Sequence, residues 1–177
     1  MRKIRVKDKD FQLFLSAETI QVRIAEIAKK ISNDLEGKEP LFLSVLNGSF
    51  MFAADLMKQI SIPSQICFVK LASYQGMQSG GTVREVFGLT ENLDGRVVVI
   101  IEDIVDSGRT MQQLLSSLGS RNPAEIKIAT FLFKPDALQC ELNLDYVVFE
   151  IPDKFVVGYG LDYDGFGRNL PAVYSLI

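Results

Sequence analysis

An unbroken apolar run near the middle of the chain constrains the fold more than any other feature of the sequence. Five consecutive β-branched residues, Val97 to Ile101, stand there. A strand with one face in water alternates polar and apolar residues, so a continuous run predicts a parallel strand covered on both faces. Two acidic residues and Gly108 follow, and then comes a predicted helix whose apolar side chains share one face: Met111, Leu114, Leu115 and Leu118. The run therefore predicts the strand, turn and helix of an α/β fold.

Strands and helices alternate along much of the remaining chain. Ser16 can cap a helix that ends at Gly37, and a second amphipathic helix is predicted from Phe50 to Ile60. Further strands are predicted at Leu41–Leu46, Gln65–Leu71, Arg84–Leu89, Ile126–Phe133 and Tyr146–Ile151. This alternation favours a mostly parallel, twisted sheet flanked by helices. Because the 177 residues contain neither a linker nor a repeat, one domain is expected over residues 1–177.

Composition excludes several classes of site and partner. The chain has no histidine, so Ser-His-Asp and Cys-His triads, zinc sites with histidine ligands and histidine general bases are excluded. The net charge of −3, with no dense basic run, speaks against a nucleic-acid partner. No apolar run reaches the roughly 20 residues of a membrane span. Residues 1–8 lack the apolar core of a secretory signal, so a cytoplasmic location is expected. Cys67 and Cys140 stand among apolar residues and are expected to be buried thiols.

Charged and polar residues gather where the apolar run ends. Glu102 and Asp103 follow the predicted strand, at the end where open α/β sheets bind their ligands. The segment from Asp106 to Thr110 then leads into a helix, and such a helix start, with Gly108 allowing tight curvature, suits a monophosphate. Paired carboxylates suit sugar hydroxyls or Mg²⁺ but repel phosphate, so the pattern separates a sugar end from a phosphate end. The alternative is a capped turn with solvated acids. The spacing fits neither a P-loop nor a dinucleotide-binding fingerprint.

Two segments resemble a known enzyme family. Residues 98–110, Val-Val-Ile-Ile-Glu-Asp-Ile-Val-Asp-Ser-Gly-Arg-Thr, resemble the phosphoribosyl pyrophosphate (PRPP) motif of type I phosphoribosyltransferases. Residues 150–164, Glu-Ile-Pro-Asp-Lys-Phe-Val-Val-Gly-Tyr-Gly-Leu-Asp-Tyr-Asp, narrow this to hypoxanthine(-guanine) phosphoribosyltransferases. The resemblance spans about Leu41 to Asn169. It implies the type I fold, with a small hood formed by the terminal segments. It also implies a purine salvage enzyme that uses Mg²⁺ and transfers the 5-phosphoribosyl group of PRPP to N9 of hypoxanthine, and also of guanine. The products would be IMP or GMP and pyrophosphate.

The resemblance also implies roles on the PRPP side of the site. Asp106 would act as general acid/base beside purine N7, and Mg²⁺ would be held by Glu102, Asp103 and Asp162. The residues implied to bind ribose and its phosphate are Glu102, Asp103, Asp106, Ser107, Gly108, Arg109 and Thr110. Those implied to bind pyrophosphate, or to belong to the loop over the reacting centre, are Asn47, Gly48, Ser73, Tyr74 and Arg168. Many relatives have lysine where Asn47 stands, and the Leu46–Asn47 peptide bond is a candidate for the cis form. The polar stretch Ala72 to Val83 would be a mobile lid.

On the purine side, the resemblance implies four binding residues. Phe155 would stack on the base, the backbone of Val156 and the ammonium of Lys134 would read its edge, and Ile104 would pack beneath it. A donor at Lys134 favours a 6-oxo group over the 6-amino group of adenine. Without the resemblance, Lys134 would be interpreted as a surface lysine and Phe155 as a core residue.

Two alternatives stay open on the sequence. One is a relative that prefers guanine or xanthine, since no residue near Asp162 decides the preference at purine C2. The other is an RNA-binding regulator of pyrimidine genes built on the same fold, against which the net charge of −3 speaks. The resemblance further implies a homo-dimer or homo-tetramer.

Overall fold

The computed structural model describes residues 3–74 and 83–177. The elements of the first half are β1 (Lys3–Val6), β2 (Lys9–Leu15), α1 (Ala17–Asp34), β3 (Leu41–Leu46), α2 (Phe50–Gln59), β4 (Gln65–Tyr74) and β5 (Val83–Phe87). Those of the second half are β6 (Val97–Val105), α3 (Arg109–Gly119), β7 (Glu125–Phe133), a short 3₁₀ turn (Pro135–Ala137), β8 (Tyr146–Glu150), β9 (Val156–Val157) and β10 (Val173–Leu176). Residues 75–82, the centre of the expected lid, lie outside the described residues.

The main sheet has six strands in the order β5-β4-β3-β6-β7-β8. The pairs from β4 to β8 are parallel, and only β5 runs antiparallel to its neighbour. The carboxyl ends of β3, β6 and β7 therefore meet at one edge of the sheet. This is the predicted α/β architecture, and its layout makes that edge the expected place for a ligand.

Strand β6 is covered on both faces, as its β-branched run predicts. Val99 and Ile101 pack in the cluster that includes residues of α1 and α2, whereas Val98 and Ile100 pack in the cluster beneath α3. All four side chains are fully buried. Burial of this much apolar surface, at about 25 cal/mol for each square ångström, makes β6 the centre of the core.

The first helix follows its sequence signals closely. The Ser16 hydroxyl accepts a hydrogen bond from the Thr19 N–H at 3.2 Å, which satisfies one of the free donors at the start of α1. The apolar positions Ile20, Ile24, Ile27 and Ile31 are buried. Gly37, with φ of +75°, lies just beyond the helix, as a C-terminal stop requires.

A second, four-stranded sheet is built from both ends of the chain. Its order is β1-β2-β10-β9, and all three pairings are antiparallel. Its own small core contains Phe11, Val157 and Tyr174. This sheet is the expected hood, and it brings the 155–168 region next to the rest of the fold.

Two strands extend well beyond their predicted ends. The strand predicted to end at Ile101 continues through both acids, because β6 stays paired with β7 as far as Val105 and Phe133. The strand predicted to end at Leu71 continues to Tyr74, because its last residues pair with β5, Tyr74 opposite Val83. Among the described residues, no helix is long and apolar enough to cross a membrane.

Candidate active site

The carboxyl end of β6 opens into a pocket of about 240 Å³, here called the turn pocket. It extends from the acidic strand end to the first turn of α3, and its lining residues are Glu102, Asp103, Ile104, Val105, Asp106, Ser107, Gly108, Thr110 and Met111. Glu102 is only 7% exposed, so the alternative of two fully solvated acids does not hold. The strand thus brings the predicted sugar-binding carboxylates and the predicted phosphate turn into one cavity.

The turn that leads into α3 packs tightly against segment 138–142. Gly108, with φ of +79°, is the residue that precedes the helix. A Cβ on it would lie 2.7 Å from Cys140 Sγ and 2.8 Å from Leu138 Cδ1, so only glycine fits both the space and the backbone angle. The N-cap residue of α3 is Gly108, so Asp106 does not occupy the position of a capping residue. The exposed side chain of Arg109 does not line the pocket.

A second pocket of about 240 Å³, here called the aromatic pocket, adjoins the first. The two share Asp103, Ile104 and Asp106. The remaining lining residues are Lys134, Lys154, Phe155, Val156, Leu161 and Asp162. All four predicted purine-binding residues therefore lie in this one cavity.

Phe155 is not a core residue, although composition alone favours that interpretation. Its side chain is 45% exposed. Its ring makes a T-shaped contact with Tyr163 at 5.9 Å and a tilted one with Phe11 at 6.3 Å. The hood therefore contacts the ring and still leaves part of its aromatic surface exposed at the pocket, where a planar base can stack.

Lys134 is a buried ammonium held between two carboxylates. The residue is 7% exposed, and its Nζ donates to Asp106 Oδ2 at 3.1 Å and to Asp153 Oδ1 at 3.0 Å. Burial acts to lower the pKa of Lys134, but the hydrogen bonds to Asp153 and Asp106 and their charges outweigh it and raise the pKa above its usual value. The lysine is therefore a permanently charged donor at the junction of the pockets, and not the surface residue of the alternative interpretation.

The loop between β3 and α2 presses against the acidic strand end. The Leu46–Asn47 peptide bond is cis. A Cβ on the buried Gly48 would overlap the Asp103 carboxylate. Only glycine therefore lets the backbone of this loop lie so close to Asp103. The Ser49 hydroxyl donates to the Val45 carbonyl at 2.6 Å, which fixes the loop on β3. Asn47 itself is exposed and lines neither pocket.

Asp162 and Arg168 lie together on the hood side. Arg168 Nη2 pairs with Asp162 Oδ1 at 2.6 Å, and its Nη1 donates to the Gly160 carbonyl at 2.7 Å. The other oxygen, Asp162 Oδ2, accepts from the Gly165 N–H at 2.6 Å. Asp162 lines the aromatic pocket, whereas Arg168 lines neither. The backbones of Ser73 and Tyr74 form the end of β4.

Comparison with known proteins fits this geometry. The family model of the phosphoribosyl transferase domain matches residues 14–164. The hypoxanthine-guanine phosphoribosyltransferase of Mycobacterium bovis is 42% identical over 171 residues, which cover 93% of this chain and 85% of that protein. The protein of the same name from Aquifex aeolicus is 38% identical, with 97% of each chain covered. This chain belongs to the hypoxanthine-guanine phosphoribosyltransferase family.

Solved structures agree with that assignment. A hypoxanthine phosphoribosyltransferase from Staphylococcus aureus aligns with a TM-score of 0.87 at 35% identity, covering 94% of this chain and 91% of that one. The expected family, the type I phosphoribosyltransferase fold and the enzyme class are thereby confirmed. The roles expected for single residues stay predictions.

The acidic residues of this phosphoribosyltransferase can bind Mg²⁺ only together with oxygens of the substrate or of water. No cluster of three acidic, cysteine or histidine side chains exists among residues 3–74 and 83–177. Glu102 and Asp103, however, both line the turn pocket. Mg²⁺ is commonly bound through one or two carboxylates together with water and substrate phosphates. The residues therefore suit a metal that arrives with a phosphorylated substrate.

Sequence reasoning missed several residues of this phosphoribosyltransferase site. Lys154 and Leu161 line the aromatic pocket, and both stand in the 150–164 motif beside residues that were predicted. Asp153 was missed although it precedes them, because only the fold shows its 3.0 Å contact with Lys134. Cys140, expected to be buried, is only partly so, and its thiol approaches the Ser107 carbonyl at 3.6 Å.

Proposed function

We propose that this protein transfers the 5-phosphoribosyl group of PRPP to N9 of hypoxanthine, and of guanine, giving IMP or GMP and pyrophosphate in purine salvage. The observation that carries the proposal is the pair of adjoining pockets, about 240 Å³ each, that share Asp103, Ile104 and Asp106. One has a helix start and carboxylates, and the other has an exposed aromatic ring and a buried ammonium. A sugar phosphate and a planar base can therefore meet at the shared wall.

The turn pocket supports binding of the ribose 5-phosphate. The start of α3 and the Ser107–Gly108 turn direct backbone N–H groups and the positive end of the helix dipole toward an anion. Glu102 and Asp103, at the other end of the pocket, accept hydrogen bonds from the ribose hydroxyls. Because carboxylates repel phosphate, the pocket orients the sugar phosphate in one direction only.

Glu102 and Asp103 would hold Mg²⁺, which neutralises charge on the departing pyrophosphate when it is bound. Asp162, the third expected ligand, lines the aromatic pocket and would join them only if it leaves its contacts with Arg168 and the Gly165 N–H. The pyrophosphate itself would meet the backbone of Asn47 and Gly48, beside Asp103, together with Ser73 and Tyr74. Arg168 joins this set only if it leaves its present contacts with Asp162 and the Gly160 carbonyl.

The aromatic pocket supports binding of a 6-oxopurine. Phe155 stacks on the base, Ile104 packs on the other side, and the backbone of Val156 meets the edge of the ring. An ammonium has three N–H donors, and the two carboxylates of Asp106 and Asp153 take two of them at Lys134. The third donates to purine O6, whereas the 6-amino group of adenine would face it as donor against donor.

Asp106 stands where proton transfer is needed. As N9 bonds to C1′ and the C1′–O bond to pyrophosphate breaks, the ribose gains positive charge, which the nearby carboxylates stabilise. The purine must lose a proton in the same process, and Asp106 accepts it from N7 as a general base. Asp106 borders both pockets, and its ion pair with Lys134 orients the carboxylate.

The experiment is a steady-state assay with PRPP, Mg²⁺ and each of hypoxanthine, guanine, xanthine and adenine. We expect IMP and pyrophosphate in equal amounts from hypoxanthine, and GMP from guanine. Their relative rates decide between hypoxanthine and guanine preference. No nucleotide from any 6-oxopurine would overturn the proposal, and a gel shift with RNA at physiological salt would then test the RNA-binding alternative.

We also propose that the protein forms a homo-dimer or homo-tetramer. Phe50, Ile66 and Phe68 are 42%, 37% and 47% exposed, which is unusual for side chains of this size. Phe68 pairs in register with Ser44, whose hydroxyl meets that of Ser49 at 2.7 Å just before α2, so Phe68 and Phe50 lie on the same side of the sheet. A symmetric dimer buries the same patch on both copies.

A further inference from the structure

A partly buried hydrogen bond links helix α2 to the hood turn that follows β9. The Tyr159 hydroxyl donates to Asp55 Oδ2 at 2.6 Å, across 104 positions of sequence. Tyr159 is 1% exposed, and its ring packs against Phe131 at 4.7 Å. Asp55 also accepts from Gln21 at 2.6 Å and pairs with Lys58 at 2.6 Å. The carboxylate is thus a fixed acceptor that three donors hold in place.

The turn that carries Tyr159 has an unusual backbone. Three consecutive residues, Gly158, Tyr159 and Gly160, have φ angles of +102°, +50° and +98°. Tyrosine seldom adopts such an angle, since its Cβ crowds the backbone there. The hydrogen bond to Asp55 and the packing of the ring on Phe131 therefore hold a conformation that the backbone disfavours.

The same turn touches the loop between β3 and α2. A Cβ on Gly160 would overlap the Gly48 carbonyl, just as a Cβ on Gly48 would overlap the Asp103 carboxylate. Three segments distant in sequence are thus in close contact: the backbone of Gly160 meets the backbone of Gly48, and the backbone of Gly48 meets the Asp103 side chain at the acidic end of β6. A shift of the turn therefore moves the loop, because the contact between Gly160 and Gly48 is made by backbone atoms and no flexible side chain lies between them.

We propose that Asp55 and Tyr159 are positioning residues for the diphosphate of the substrate. Through the Tyr159 hydroxyl, Asp55 sets Gly160 against Gly48 and so holds the Asn47–Ser49 loop beside Asp103. Neither side chain lines the turn pocket or the aromatic pocket, so they act through the loop and do not touch the substrate. This inference rests on the proposed function, in which that loop meets pyrophosphate.

The chain offers a matched control for the hydrogen bond. Tyr146 is 2% exposed, and its hydroxyl donates to Asp34 Oδ2 at 3.2 Å. This bond also joins a buried tyrosine to an aspartate on a helix, but it links β8 to the end of α1, and neither residue lines the two pockets. Tyr146→Phe and Tyr159→Phe therefore remove the same chemical group at two places, only one of which leads to the loop.

The test measures melting temperature, kcat, the KM values for PRPP and hypoxanthine, and inhibition by pyrophosphate for both variants. Both are expected to melt at lower temperature than the wild type. Only Tyr159→Phe is expected to raise the KM for PRPP and the inhibition constant of pyrophosphate, by about 3- to 30-fold, the range usual for coupling through packed contacts. The KM for hypoxanthine should change less than the KM for PRPP. Equal kinetic changes in the two variants would overturn the inference.

Two substitutions of Asp55 provide the second test. Asp55→Asn keeps an acceptor oxygen for the Tyr159 hydroxyl and should retain most of the affinity for PRPP, whereas Asp55→Ala should lose it to the same extent as Tyr159→Phe. Identical PRPP affinities for Asp55→Asn and Asp55→Ala would contradict the inference. If the wild type forms no nucleotide from any 6-oxopurine, the proposed function fails; if the wild type is active and these variants are unchanged, only the inference fails.

Discussion

At the scale of single residues, the site depends on one ammonium that serves two purposes. Lys134 orients Asp106 through a 3.1 Å contact and, in the proposed function, presents its remaining donor to the purine. Asp106 and Asp153 both keep more than half of their side chains exposed, so the buried partner is the lysine. Removal of a buried charge from such a cluster affects both its partners and the ligand.

Lys134→Gln is expected to erode the preference for 6-oxopurines and to leave the affinity for PRPP nearly unchanged. A donor left facing another donor costs about 1–3 kcal/mol, so the wild type should discriminate against adenine by about 5- to 150-fold or more in kcat/KM. The measurement is kcat/KM for hypoxanthine and adenine in each protein. Lys154→Gln is the control, because Lys154 lines the same pocket but its ammonium lies 5.7 Å from the Phe14 ring centroid. Comparable turnover of adenine and hypoxanthine by the wild type would contradict the role of Lys134.

The contribution of Asp55 to the free energy of unfolding should depend on pH. Burial acts to raise the pKa of Asp55, but the hydrogen bonds from Lys58, Tyr159 and Gln21 outweigh it, and the pKa lies below its usual value. A carboxylate with a lowered folded-state pKa stabilises the fold above its unfolded pKa of about 3.9, and this stabilisation is lost as the pH falls through the folded value. The difference in unfolding free energy between the wild type and Asp55→Asn should therefore be constant near pH 7 and shrink below about pH 4. Urea denaturation from pH 7 to pH 2.5 measures it, and a difference independent of pH would be inconsistent with the lowered pKa.

At the scale of elements, strand β6, the turn that follows it and helix α3 together form the turn pocket. The strand carries the acids into the site, and the turn is shaped by segment 138–142 packed below it. The Gln139 N–H donates to the Ser107 carbonyl at 3.0 Å, which adds a backbone tie to that packing. The geometry of the predicted anion site is thus set by a segment that contributes nothing to either pocket.

Gly108→Ala should weaken PRPP binding and destabilise the fold by about 1–3 kcal/mol, since the new Cβ meets both an unfavourable φ angle and the Cys140 side chain. Gly119→Ala is the control at the other end of the same helix. A Cβ there meets nothing within 4 Å, so this change should be neutral or stabilise by up to about 1 kcal/mol. Isothermal titration with PRPP and thermal melts distinguish the two. Unchanged PRPP affinity in folded Gly108→Ala would count against the turn as the phosphate site.

Elements determined by local signals could be predicted from the sequence, and those determined by distant contacts could not. The β-branched run of β6 and the Ser16 cap of α1 are encoded by neighbouring residues, and both appear as expected. The continuation of β6 through Glu102 and Asp103 depends on its pairing with β7, which no local pattern shows. Asp153 beside Lys134 and Asp55 beside Tyr159 likewise depend on tertiary contacts across 19 and 104 positions. The resemblance predicted residues that line the aromatic pocket, but not the contacts that hold them in place.

At the scale of the whole molecule, the hood joins the two ends of the chain over the carboxyl edge of the main sheet. Strand β10 pairs with both β2 and β9, so Phe155 and Val156 are fixed to the N-terminal hairpin. The aromatic pocket is therefore formed between the hood and the main sheet, whereas the turn pocket is formed by β6, its turn and α3. In the proposed function, PRPP and the purine therefore bind to different parts of one fold.

The exposed apolar patch predicts self-association. Phe68→Ser should shift the protein toward monomer, because it removes the most exposed of the three large apolar side chains on that face. Val22→Ser is the control, since Val22 is 60% exposed on α1 and lies outside the patch. Sedimentation velocity over a range of concentrations measures both. A wild type that stays monomeric at all concentrations would contradict the homo-oligomer.

The central claim is that Asp106, at the shared wall of the two pockets, moves the proton of the reaction. Asp106→Asn keeps the shape of the side chain but cannot accept a proton, so kcat should fall by about 10²–10⁴-fold while the Kd for PRPP changes by less than about threefold. Asp153→Asn is the control: it removes the other ion pair of Lys134, and Asp153 lines neither pocket. Comparison of the two variants therefore separates the effect of losing an ion pair from the effect of losing the general base. The decisive measurement is kcat at saturating PRPP and hypoxanthine for both variants. The account predicts a large loss only in Asp106→Asn, and a folded Asp106→Asn enzyme with kcat within about threefold of the wild type would contradict it.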